Sequence, residues 1–140
     1  MVNAVTAKPK DAMTIHSAKD LIAKASADVT TIEARDAAKL VGSPITVFVD
    51  VREANEIEKT GTVAGALHVP RGLLEFHADP SSPSHKSELD PAKRLVLFCA
   101  SGGRSTLAAR ALQAMGFPDV ASVAGGFAAL ETAGVPTTRR

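Results

Sequence analysis

Hydrophobic positions along the chain fall into short runs separated by polar stretches with helical spacing. ITVFVDV at 45–51 and RLVLF at 94–98 are nearly continuous in apolar residues. Runs of this length, rich in β-branched residues, predict strands buried on both faces. DVASV at 119–123 predicts a further strand, and ALHV at 66–69 a short one that ends at Pro70. Between 105 and 115, Leu107, Ala108, Ala111, Leu112 and Met115 share one helical face, with Gly116 as a stop and Pro118 beyond it. Ser17 is placed to cap a first helix running to about Ala27, with Asp20 in its first turn and Leu21, Ile22 and Ala25 as its apolar stripe. Thr31 is read as the cap of a second helix over 32–40, stopped by Gly42, Ser43 and Pro44. A polar helical turn or two is expected at 53–59, closed by Gly61, a small helix at 72–78, and a last helix at 126–132 before Gly134 and Pro136. Residues 79–93, DPSSPSHKSELDPAK, hold three prolines and four serines and read as a long surface loop. Residues 1–13 read as a polar, poorly ordered lead-in.

Strands alternating with helices imply βα units, a parallel sheet and right-handed crossovers, an α/β class. Ligands in such sheets sit beyond the carboxyl ends of the strands. The two strongest strands end at Asp50 and Cys99, so both residues fall where this architecture places chemistry. No internal repeat or low-complexity tract is visible.

Composition narrows the function classes. A length of 140 residues suits one domain with one core. Trp and Tyr are absent, so that core rests on Val, Leu, Ile and Ala. A formal net charge of +1 lacks the electrostatic footprint of a nucleic-acid binder. A single cysteine cannot form an intramolecular disulfide. No run approaches the roughly 18 apolar residues of a membrane span, and the first residues lack the apolar stretch of a secretory signal. The expectation is a cytoplasmic protein with no membrane or nucleic-acid partner.

That one cysteine sits in FCASGGRST, between the strand 94–98 and the helix that follows. A thiolate is the reactive form of cysteine, and something must favour the anion. A glycine-rich turn into a helix aims several backbone N–H groups at one point, and the helix N-terminus adds partial positive charge. Gly102 and Gly103 let the backbone turn, Arg104 brings a permanent charge, and Ser101, Ser105 and Thr106 bring hydroxyls. Free cysteine is also a common buried strand-end residue. The Gly-Gly-Arg-Ser continuation favours an anion cup instead, since a structural cysteine has no use for one.

Cys99-Ala100-Ser101-Gly102-Gly103-Arg104-Ser105 resembles the active-site loop of the rhodanese (sulfurtransferase) superfamily. DVREANEIEKTGTVAGALHVP at 50–70 resembles a second signature of that family, and GGFAAL at 125–130 its closing glycine-glycine-aromatic helix start. The likeness covers about 31–136. It implies a three-layer fold, a small parallel sheet of about five strands with helices on both faces. The expected division is an N-terminal extension with a helix at 1–28, a rhodanese-like domain at 29–137 and a basic tail at 138–140. The loop 79–93 and the extra N-terminal helix resemble single-domain bacterial members.

The resemblance implies a single-domain sulfurtransferase, with Cys99 becoming a persulfide on taking sulfur from thiosulfate or a related small anionic donor. The sulfur then passes to an external thiol, cyanide or protein acceptor, and no cofactor is implied. The loop 100–104 would hold the persulfide, and Arg104 and Arg71 would attract the donor. A non-enzymatic sulfur-carrier or regulatory module is the alternative. Related phosphatases and arsenate reductases carry C-x5-R, whereas Cys99 to Arg104 is C-x4-R, a smaller cup. Asp50 and Arg52 are read as a structural ion pair or helix cap ahead of a role at the site rim. Phe76 and Phe127 fit either the pocket mouth or the core. His68 is read as a hydrogen-bonded core histidine. His77 and His85 lack zinc-like spacing, His16 lies near the lead-in and there is one cysteine, so no metal is expected.

Overall fold

The computed structural model of the protein describes residues 14–139. The lead-in expected over 1–13 lies outside them. Helix α1 (Ala18–Asp28) opens on Ser17, whose Oγ accepts the Asp20 amide at 3.0 Å. The elements β1 (Thr30–Ile32), α2 (Ala34–Ala38), β2 (Thr46–Asp50), α3 (Ala54–Thr60), β3 (Thr62–Val63) and β4 (Leu67–His68) follow. After a 3-10 turn at Arg71–Leu73 come α4 (Leu74–Ala78), β5 (Arg94–Phe98), α5 (Gly103–Met115), β6 (Val120–Val123), α6 (Gly126–Thr132) and β7 (Thr137–Thr138).

Five strands form one parallel sheet in the order β1-β6-β5-β2-β4. The α/β expectation holds, with helices on both faces. Alternation along the central strands divides the core. Val49, Leu95 and Leu97 face one cluster with Ala108, Ala109 and Leu112 of α5 and Leu74 of α4. Phe48, Val96 and Phe98 face the other, with Ala37 of α2 and Phe127 and Leu130 of α6. The strongest apolar run, β5, lies in the middle, where burial on both faces is most complete.

Several expectations change. Thr31 caps no helix: it pairs with Ser122 in β1, and α2 begins three residues later with Glu33 as its N-cap. Pairing with a strand some ninety positions away overrode the local pattern. Helix α5 starts at Gly103, ahead of the expected 105. Of the stripe assigned to α1, Ala25 is buried and Leu21 is about half exposed. A two-stranded antiparallel pair, β3 with β7, had no sequence signal of its own. It ties 137–138 back to 62–63, across the boundary drawn between domain and tail. The stretch 79–93 is a loop, yet it anchors itself by burying Leu89.

Candidate active site

Cys99 directly follows β5 and keeps the inward phase of Leu95 and Leu97, so its side chain enters the core cluster beneath α5. Only 1% of it is exposed. The chain then turns through Gly102 in the left-handed region, at φ +119°, where glycine carries no steric cost. This turn brings the Gly102 amide back to donate to Cys99 Sγ at 3.1 Å. It also directs the Gly102 carbonyl into the first turn of α5, where it accepts from the Thr106 amide at 3.0 Å and Thr106 Oγ1 at 2.8 Å.

Below the sulfur lies a buried chain of hydroxyls. Cys99 Sγ is 3.6 Å from Ser105 Oγ, and Ser105 Oγ is 2.8 Å from Ser122 Oγ. Ser122 Oγ is in turn 3.3 Å from Thr106 Oγ1. Burial pushes the Cys99 thiol up. Hydrogen bonds from the Ser105 amide and hydroxyl, and from the Gly102 and Ser101 amides, outweigh it, so its pKa falls below the ordinary thiol value. The N-terminus of the 13-residue helix α5 acts in the same direction.

A close approach of α6 holds the loop from the other side. The Phe127 amide donates to the Cys99 carbonyl at 2.8 Å. A Cβ on Gly126 would collide with the carbonyl oxygens of Cys99 and Ala100. Gly126 is therefore required by contact with the cysteine loop, whereas Gly125, at φ +78°, is confined by Ala129 of α6 itself.

The remaining candidates separate into groups. Ala100 and Ser101 are exposed on the loop, Gly102, Gly103 and Arg104 are partly buried, and Ser105 is fully buried. Asp50 and Arg52 are buried at 0% and 2%. Arg52 Nε and Nη2 hold the Asp50 carboxylate at 3.0 and 2.8 Å, and the same guanidinium donates to Thr60 Oγ1 and the Gly61 carbonyl. Thr62 Oγ1 completes the Asp50 shell at 2.7 Å. The pair is thus a structural hub and no part of an open rim. Phe127 belongs to the core: its ring stacks on Phe98 at 6.3 Å and lies under the Arg52 guanidinium at 4.4 Å. Phe76 is 59% exposed, and Arg71 is bound to Glu75 at 3.0 Å. His68 Nε2 meets the Arg52 carbonyl at 2.7 Å, a packing bond.

Two neighbours escaped the sequence reading. Glu56 of α3 takes both terminal nitrogens of Arg104, at 2.7 and 2.9 Å. Arg104's guanidinium holds the Glu56 carboxyl down at about 2. Ser122 lies beside Leu97 in the β6–β5 register, which puts its hydroxyl beneath the loop. Its same-face spacing from Val120 was the available clue.

A groove of about 640 Å³ lies elsewhere, around Thr46, Val47, Gly65, Glu88 and Lys93 near the amino end of β2. Among the described residues, no cluster of three or more His, Cys, Asp or Glu could hold a metal ion. No helix among them is long and apolar enough to cross a membrane.

Comparison with known proteins places this geometry. Residues 33–133 match the model of the rhodanese-like domain. A putative sulfur carrier protein of Bacillus subtilis (strain 168) is 36% identical over 79 residues, which are 56% of this chain; the chain spans only 38% of that protein's length. A polysulfide-sulfur transferase homodimer from Wolinella succinogenes superposes with a TM-score of 0.70 at 30% identity, covering 87% of each chain. A protein of unknown function from Rhodopseudomonas palustris CGA009, described as a possible tyrosine phosphatase, superposes with a TM-score of 0.85 at 36% identity, over 94% of this chain and all of the other.

Proposed function

The chain belongs to the family of rhodanese-like domains, and from that premise we propose that it is a sulfurtransferase carrying a sulfane sulfur as a persulfide on Cys99. The observation that carries this reading is the convergence on Sγ of the Gly102 amide at 3.1 Å and the Ser105 hydroxyl at 3.6 Å, at the start of α5. The amide donates to the sulfur, and the Ser105 hydroxyl, which accepts from the thiol and donates to the Gly102 carbonyl, can turn to donate once the sulfur is ionised, so both favour an anion on or just beyond it.

In the first step the Cys99 thiolate attacks the outer sulfur of the donor. A new S–S bond forms, the donor's own bond to that sulfur breaks, and the remainder leaves with the bonding electrons. With thiosulfate the leaving group is sulfite, and the negative charge on Cys99 moves to the terminal sulfur of the persulfide. In the second step a nucleophile takes that terminal sulfur and returns Cys99 to the thiolate, a ping-pong scheme. No second cysteine exists in the 140 residues to resolve the persulfide, so the acceptor is external: cyanide, a small thiol or a partner protein. The setting proposed is cytoplasmic.

Intact-mass measurement after treatment with thiosulfate or another sulfane donor is expected to show one added sulfur atom on Cys99, removed by cyanide and absent from Cys99→Ala. No added sulfur from any donor would sink the reading.

The likeness to a putative sulfur carrier favours one further reading, in which sulfur passes only to a docked protein. Turnover with free cyanide or a small thiol counts against it. Phosphatase chemistry fits less well, because Arg104 is already held bidentately by Glu56 rather than offered to a phosphate. Phosphate-ester hydrolysis that disappears in Cys99→Ser would reinstate it.

A further inference from the structure

Arg104 is the loop's one charged side chain, and its charge is already committed. Both terminal nitrogens lie on the Glu56 carboxylate, at 2.7 and 2.9 Å. The bond to Glu56 keeps the guanidinium protonated more firmly than usual, and it senses both the charge at Cys99 and that of Glu53. Arg104 is therefore within electrostatic reach of the sulfur, but it reaches it as part of a neutralised pair. The other arginines at this edge of the sheet are committed too. Arg71 is held by Glu75 at 3.0 Å, and Arg52 is buried against Asp50 at 2.8 Å. With Glu53 adding a further carboxylate near Arg104, no uncommitted arginine among the described residues faces the donor.

We infer that Glu56 sets the charge class of the sulfur donor, selecting a singly charged or zwitterionic sulfane-sulfur compound over a dianion such as thiosulfate. The inference rests on the persulfide reading of Cys99 and deepens it. The helix terminus and loop amides suffice for the one negative charge that remains on sulfur after transfer. A dianion brings a second charge to the mouth, where the Glu56 carboxylate cancels the attraction of Arg104. Glu56 titrates at about 2, so it carries this charge throughout any assay near neutrality.

The donor half-reaction provides the test. Thiosulfate carries two charges and yields sulfite. An alkanethiosulfonate carries one and yields an alkanesulfinate, leaving the same persulfide on Cys99. In a ping-pong scheme kcat/KM for the donor reports this half-reaction alone, with cyanide as the common acceptor. Glu56→Gln keeps an oxygen for the Glu53 amide, which Glu56 Oε1 accepts at 2.9 Å in the capping box of α3. It removes the charge and also puts an NH2 group where Glu56 Oε2 accepts from Arg104 Nη2 at 2.9 Å, so Arg104 is both unneutralised and released from its second bond. Coulomb energy scales with ligand charge, so the logarithm of the gain for the dianion is about twice that for the monoanion.

The wild-type protein is expected to use the thiosulfonate better. Glu56→Gln is expected to raise thiosulfate kcat/KM roughly fivefold or more, mainly through KM, and the thiosulfate-to-thiosulfonate ratio at least about twofold. Raising the salt should shrink both gains. Glu56→Asp keeps the charge and should keep the wild-type ratio. A ratio unmoved by Glu56→Gln, or moved as far by Glu56→Asp, overturns the inference while Cys99 still gains its sulfur. If neither donor leaves sulfur on Cys99 by intact mass, the persulfide reading falls instead, and the donor ranking falls with it.

Discussion

A thiol buried as deeply as Cys99 would ordinarily titrate high, because desolvation penalises its anion. Here the local donors win, and Ser122 supports one of them. The Gly102 carbonyl accepts from the Thr106 amide and hydroxyl, so it stays satisfied when the Ser105 proton swings from that carbonyl, 3.1 Å away, to the sulfur. Ser122, 2.8 Å from Ser105 Oγ, can then donate to that oxygen. Ser122→Ala is expected to raise the alkylation midpoint of Cys99 by about 0.7 pH unit, since a neutral hydrogen bond is worth roughly 1 kcal/mol. Ser122→Thr should restore it. An unchanged pH profile in Ser122→Ala would remove Ser122 from the site, whatever happens to its melting temperature. The cysteine itself was legible, because glycine turn and helix start are contiguous with it. Ser122 and Glu56 were not, because they come from strands and helices that only folding brings beside the loop.

At the scale of elements, the cysteine loop is shaped by the start of α6 as much as by its own residues. Gly126 has φ +60°, and any Cβ there meets the Cys99 and Ala100 carbonyls. Gly126→Ala should cost roughly 2–4 kcal/mol, from backbone strain together with the steric clash. It should also slow sulfur loading more than Gly42→Ala, where φ is likewise positive but nothing lies within 4 Å. Urea melts and loading rates on the two variants check this, and equal effects would refute it. The glycine-glycine-aromatic motif was readable as a helix start. The reason for its second glycine, a close contact of Gly126 with another loop, was not. The same gap explains β1: Thr31 fits a helix cap locally, and only the β6 edge makes it a strand.

Across the whole molecule, one buried hub joins the sheet to its surroundings. Arg52 links Asp50 at the end of β2 to Thr60 and Gly61 at the close of α3 and covers Phe127 of α6. Arg52→Ala leaves Asp50 charged and buried, and should destabilise by roughly 3–5 kcal/mol in equilibrium unfolding. Asp119→Ala breaks the half-exposed pair with Arg94 and should cost at most about 1 kcal/mol. Comparable losses in the two variants would show that Asp50–Arg52 is no such hub. The sequence by itself determined the class of fold and the place of its single cysteine between a strand and a helix start. Continuous apolar runs bury on both faces wherever they are placed, and a strand, glycine turn and helix are local matters. The tertiary structure decided how the charges are shared. Whether Arg104 meets a substrate or Glu56, and whether Arg52 lines a rim or lies in the core, depends on which distant segment packs against each.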